Sequence, residues 1–139
     1  MFTTYFLKCI SEDIFKHQED STIPYDFYIA LSSTTPSIDG TGVTEPTVDT
    51  GYARAQVDNS IVTFDVADES NVVSNHVKIY FPESIKPWSG ITHYAIFDAS
   101  EGGNLLMFGA LNATVDVPIK TIVSIPLGTL KVSTENGVT

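Results

Sequence analysis

The sequence predicts an all-β domain, an antiparallel β-sandwich of about eight short strands preceded by one amphipathic helix. Three observations carry this. The stretch Trp88–Leu111 reads as two strands joined by the tight turn Asp98-Ala99-Ser100-Glu101-Gly102-Gly103-Asn104, whose glycines take positive φ without steric cost. From Asp26 to Ser133 the chain is a succession of short β-branched and aromatic runs broken by Pro, Gly, Asn and Asp, as strands and turns are. Charged residues are only 17% of the chain, below the roughly 25% of ordinary globular proteins; Ser and Thr take their place. A closed barrel is the alternative architecture.

Taken in order, Phe2, Tyr5, Phe6, Cys9, Ile10 and Ile14 recur at three- and four-residue spacing, predicting a helix over 3–17. Glu12 and Lys16 stand at i,i+4 in the favourable order. This helix covers a face or end of the sheet, or docks on a neighbouring subunit. Gln18–Pro24 is a polar connection. Asp26–Ser32 is the first strand, with Phe27, Ile29 and Leu31 facing one way and Tyr28 and Ala30 the other. Ser33–Gly51 contains two prolines and three glycines; an irregular segment of this length is uncommon in a compact domain and often functional, and it has room for a short strand near Val43. Tyr52–Val57, Ile61–Val66, Val72-Val73 and Val77–Phe81 are strand-like. In the strand from Trp88, strict alternation puts Ile91, His93, Ala95 and Phe97 on one face and Thr92, Tyr94, Ile96 and Asp98 on the other. Both faces are partly apolar, as in a central strand. Leu105–Leu111 returns, Asn112–Pro118 connects, and Thr121–Ile125 and Leu127–Ser133 complete the sheets. The whole, 1–139, is one domain: helix 3–17, β-sandwich 26–133 and a loose tail 134–139.

The chain has 7 Lys and Arg against 17 Asp and Glu, a formal net charge of -10. That argues against nucleic acid, whose backbone needs clustered cations, and against an anionic membrane surface. A basic protein partner is compatible. No run approaches the ~20 apolar residues of a membrane span, and no signal-peptide pattern is present, so folding in a reducing cytoplasm is expected. Cys9 is the one cysteine, read as a small buried hydrophobe.

Few side chains combine into chemistry. His17, His76 and His93 share no metal-ligand spacing, and His93 alternates with apolar strand residues as an interior or interface histidine does. Gly40-Thr41-Gly42 lacks the lysine and the strand-to-helix context of a phosphate loop. There is no G-x-S-x-G elbow, and no carboxylate pair stands out for glycoside chemistry. Asp65, Asp68 and Glu69 share a loop without a calcium-loop pattern. Asn112-Ala113-Thr114 fits a glycosylation acceptor only in a secreted protein. No catalytic, cofactor-binding or metal-ligating residue is therefore assigned, and no cofactor is expected. Arg54, the sole arginine, is expected to pair with an acid or with main-chain carbonyls and to pin the long loop. Trp88, the sole tryptophan, is expected to cap the core beneath the hairpin.

Several blocks in order resemble a family of small tailed-bacteriophage virion proteins, tail-fibre-like and often of unknown function. They are a short N-terminal helix; Tyr28-Ile29-Ala30-Leu31-Ser32 with Thr34-Thr35-Pro36; Thr44-Glu45; Gly51-Tyr52-Ala53-Arg54; Asn75…Phe81-Pro82; Trp88–Asp98; Gly102-Gly103-Asn104-Leu105-Leu106; and Gly109-Ala110-Leu111. The chain departs from the pattern in a longer, more acidic Thr44–Gly51 segment and in an Asp65–Asn75 insertion. The resemblance implies a non-enzymatic virion component, tail- or fibre-associated, whose partners are other virion proteins in a homo-oligomer or symmetric array, with a host-surface glycan as a further partner. A capsid decoration (cement) protein is the near alternative. A carbohydrate-binding module, stacking sugars on Trp88, Tyr52, Tyr80 or Tyr94, is the alternative of another class.

Overall fold

The computed structural model describes residues 1–15, 23–58, 64–66, 72–126 and 128–133. Lys16, His17, Asp68, Glu69 and the tail 134–139 lie outside them, as do the expectations placed there. Helix α1 is Thr4–Phe15, and the strands are β1 Asp26–Ser32, β2 Ala55–Asp58, β3 Phe64–Val66, β4 Val72–Asn75, β5 Ile79–Tyr80, β6 Trp88–Phe97, β7 Leu105–Val117, β8 Ser124–Ile125 and β9 Lys131–Ser133. Every described pairing is antiparallel. The main sheet has the order β2-β1-β6-β7, beside a three-stranded sheet β3-β4-β9 and a two-stranded sheet β5-β8. The chain is an antiparallel all-β protein with one N-terminal helix, as its periodicities predict, and β6 is a central strand.

The main sheet is apolar on both faces. On one, Phe27, Ile29, Leu31, Ala55, Ile96, Leu106 and Met107 form the principal core. Ile79 of β5, Phe81 and Leu130 close it, with Phe6 and Cys9 from α1. On the other face Ala30, Ala95, Phe97, Leu105 and Phe108 form a second cluster, with Val43 of the long loop packed against it. That loop covers the second face without forming a strand at Val43.

Strict alternation fails along β6. Ile91 pairs with Val115 but His93 with Ala110, so Leu111 to Thr114 bulge out against Thr92. A bulge turns the following side chains over, and Ile91 joins Tyr94 and Ile96 in the principal core instead of Ala95 and Phe97. A second irregularity pairs Ile96 with Met107 and Phe97 with Leu105, which sends both Leu106 and Met107 to the core. The same bulges carry β7 through Asn112–Val117, a stretch expected to be a connection. Other strands are shorter than their apolar runs: Tyr52–Arg54, Lys78 and Thr121–Val123 fall outside the strands, Val77 stands in a bend, and Gly128–Leu130 is a turn.

The helix is welded to the sheet by Thr3. Its buried hydroxyl accepts from Phe6 N (3.3 Å), an N-cap bond, and donates to the carbonyl of Leu105 (2.5 Å). Residues 1–3 lie along β7, with Phe2 bridged to Met107 and Thr3 N donating to Leu106 O at 2.8 Å. The inner helix face packs intramolecularly, and its outer face is left to solvent.

Candidate functional site

The polar chemistry of the molecule converges on the long loop. Val48–Thr50 is a short 3-10 turn ended by Gly51 at φ 81°. A Cβ there would stand 2.9 Å from the carbonyl of Glu83, so only glycine lets the chain turn into Tyr52. The Tyr52 ring is buried, edge-on to Trp88 at 5.4 Å and stacked near Phe81 at 6.4 Å. Its hydroxyl donates to Glu45 Oε1 at 2.7 Å and accepts from Leu31 N at 3.0 Å. Burial first, then the bond to Glu45, push this phenol far above its ordinary range.

Two residues on, Arg54 grips Glu45 with both arms of its fork, Nε to Oε1 at 2.9 Å and Nη2 to Oε2 at 2.8 Å. Its Nη1 donates to the carbonyls of Ala99 and Gly102, each at 2.8 Å. The guanidinium lies 3.7 Å above the Phe97 ring, a cation–π stack. Arg54 thus pairs with an acid and with main-chain carbonyls at once, locking the long loop to the β6–β7 turn. The Arg54 side chain is 6% exposed and that of Glu45 24%.

Within the loop, Ser32 Oγ donates to Thr34 O and accepts from Thr44 N. Thr34 Oγ1 donates to Gly42 O, and Asp39 accepts from the amide and hydroxyl of Thr41. Thr4 N donates to Ile38 O at 3.0 Å, tying the loop to α1. The segment is ordered by its own side chains, as compact surface loops are.

At the end of the sheet where β6 begins, three loops are laced together. The carbonyl of Thr50 accepts from Ile85 N and Trp88 Nε1. Buried Ser84 donates to Pro118 O at 2.5 Å and accepts from Thr121 N at 3.1 Å. Lys86 reaches Asp49 at 2.7 Å. The bond from Lys86, then that from the Thr47 hydroxyl, hold the Asp49 carboxyl below its ordinary value. These braced loops turn Val48, Ile85, Ile119 and Ile122 outward. A second surface feature is an apolar cleft of about 240 Å³ beside the β7 bulge, between β7 and Val123–Leu130. Tyr94 lines it, its ring over Gly109.

The residues singled out in the sequence separate clearly. Trp88 is 1% exposed and holds its loop through Nε1, so it and Tyr52 belong to the core. Of the four aromatics considered for sugar stacking, Tyr80 is open to solvent at 58%. His76 is exposed, and His93 Nδ1 lies 2.8 Å from the neighbouring Thr92 hydroxyl. Cys9 is buried. Among the described residues, no three His, Cys, Asp or Glu side chains come together as a metal site does. Sequence reasoning missed Thr3, Asn75 and Ser84, fully buried polar residues. Asn75 donates to Val77 O and Pro126 O and accepts from Leu130 N, fastening the three-stranded sheet to the turn before β9. Their signal was faint: a Thr before a helix, an Asn after paired valines.

A β-rich frame whose charged and hydroxyl side chains brace loops against one another is suited to a structural part, and it agrees with the phage fibre proteins that the sequence blocks resemble. Residues 2–133 match the family model described as podophage GP4 fiber I protein gp80, and the chain belongs to that family. No curated protein matches it.

Proposed function

We propose that this chain is a non-enzymatic component of the tail or fibre apparatus of a tailed-phage virion, acting by protein–protein assembly. The family match over residues 2–133 is the observation that carries the reading. The structure supports it through the spending of its best constellation: Arg54, Glu45 and Tyr52 bond to one another and to main-chain groups of their own chain. Such a site holds a shape. The shape it holds is the Ser33–Gly51 loop and the apolar tips Val48, Ile85, Ile119 and Ile122, and conserving loop geometry without a partner is how a preorganised contact surface gains affinity. Copies repeated around a symmetric particle add avidity to each weak contact. Assembly takes place in the host cytoplasm.

The test is cryo-electron microscopy of particles from the encoding phage, with the chain fitted as a rigid body. Density at the tail or its fibres supports the reading. Density over the head lattice moves the protein to capsid decoration, and particles that lack it refute a virion role.

A further inference from the structure

We infer that the polar pocket between the long loop and the start of β6 seats one neutral, polyhydroxylated ring, such as a hexopyranose. The pocket holds about 190 Å³. Glu45, Thr47 and Thr50 of the loop line it, with Ser33 just past β1 and Ser89 of β6. Pro46 and Pro87 add apolar wall. That volume is the space of about six waters at roughly 30 Å³ each, which one pyranose ring fills. This chemistry is independent of where the chain sits in a particle.

Glu45 is the fixed point. Two buried groups hold its carboxylate, the Tyr52 hydroxyl and the Arg54 guanidinium. Oε1 takes two of these bonds and Oε2 takes one. A carboxylate has about four lone-pair sites, so Oε2 keeps an acceptor site, and the side chain is only half-buried. The Thr50 hydroxyl donates to Thr47 O at 2.5 Å, and the Thr47 hydroxyl donates to Asp49. Their protons are spent, while their oxygens still accept. Ser33 donates weakly, to Thr44 O at 3.4 Å. The lining is therefore rich in acceptors, and a ligand must bring donors.

Charge selects the ligand. A cation gains little, because Arg54 already balances Glu45 and repels a second positive group beside it. An anion meets acceptor oxygens on a chain of net charge -10. A ring of hydroxyl groups meets neither penalty. Each hydroxyl donates as well as accepts, and the C–H face of the ring rests on the prolines. Trp88 also lines the pocket but is 1% exposed, so it offers no stacking face and the hydroxyl contacts carry the recognition. Small-molecule pockets usually start near roughly 300 Å³. One ring therefore binds weakly here, and repeated copies add avidity.

The test is NMR of the isotope-labelled full chain, titrated to millimolar concentration with glucose, galactose, mannose, N-acetylglucosamine and rhamnose and with their methyl glycosides. At least one should shift the amides of Thr47, Thr50 and Ile91 saturably. Ser89→Tyr fills the pocket from an exposed strand position and should abolish the shifts while keeping the wild-type melting profile. Ser89→Ala should weaken binding about threefold or more, the worth of one neutral hydrogen bond. A methyl glycoside that binds as well as its parent sugar assigns the end unit of a longer glycan, and loss on methylation assigns a free sugar; either supports the inference. It is overturned if none of these sugars gives a saturable shift, or if the shifts persist in Ser89→Tyr. Methylammonium moving the same amides where no sugar does also overturns it, since the pocket then takes cations. None of these outcomes alters where density for the chain appears on a particle.

Discussion

At the scale of single residues, the cost of breaking the Arg54–Glu45 grip is asymmetric. Arg54 is nearly enclosed while Glu45 keeps some access to water. Glu45→Ala strands a buried cation and is expected to cost about 3 kcal/mol. Arg54→Ala leaves a carboxylate that can rehydrate and should cost about 2 kcal/mol. Arg54→Lys should recover little, since an ammonium cannot make the two-armed bond or the stack on Phe97. Urea titration of the three variants checks the order. Tyr52→Phe leaves Leu31 N without its acceptor and is expected to lose about 1–3 kcal/mol at neutral pH. The same phenol sets an alkaline limit. Its folded value is raised above the ordinary 10.0, so its stabilising contribution is complete below pH 10 and drains away as the unfolded chain ionises above it. Thermal melts from pH 9 upward should fall more steeply for the wild type than for Tyr52→Phe.

At the scale of elements, the long loop and the bulged hairpin behave differently. Asp39 and Asp49 have carboxyls held below the ordinary 3.8, Asp39 first by the Thr41 hydroxyl and Asp49 first by Lys86. Their contribution is present above that value and lost as pH falls through the lower folded values. Protection factors of amides 37–50 should therefore fall below about pH 4 before those of the main-sheet amides respond. In the hairpin, a Cβ at Gly109 would sit 2.5 Å from the Tyr94 hydroxyl oxygen. Gly109→Ala is expected to push the Tyr94 ring off the strand, cost about 1–3 kcal/mol and reshape the cleft, with tyrosine fluorescence and denaturant midpoint as readouts. These elements also show what was legible in the sequence. The β6–β7 hairpin, β1 and α1 were readable because apolar periodicity and turn glycines are local signals. Arg54 was readable as a pin because a lone arginine after Gly51-Tyr52-Ala53 had few other uses. The face of Ile91 and the length of β7 were not, since a bulge is decided by what the partner strand must bury. Nor were Thr3, Asn75 and Ser84, whose partners are far away in the chain.

At the scale of the whole molecule, α1 is structural on its inner side. Phe6 and Cys9 complete the principal core, and residues 1–3 pair with β7. A chain lacking residues 1–15 is expected to lose its cooperative melt and bind a hydrophobic dye, because the core over Leu106 and Met107 is then uncovered. A cooperative transition in that truncated chain would show that the sheet closes without the helix. The acidic surface belongs to this scale too: the net charge of -10 favours solubility before assembly and selects among partners.

The bond from Thr3 to Leu106 closes a loop of 103 residues. Synthesis runs from the amino end, so α1 emerges long before the strand that receives it. Until β7 leaves the ribosome, Phe6 and Cys9 have no core to enter, and the helix must wait with both of its apolar sides uncovered. Closing so distant a pair is entropically slow. Translation is therefore the clock for this contact: the inner face of α1 is covered only after β7 has been made, and a chain aborted before β7 keeps Phe6 and Cys9 without their core.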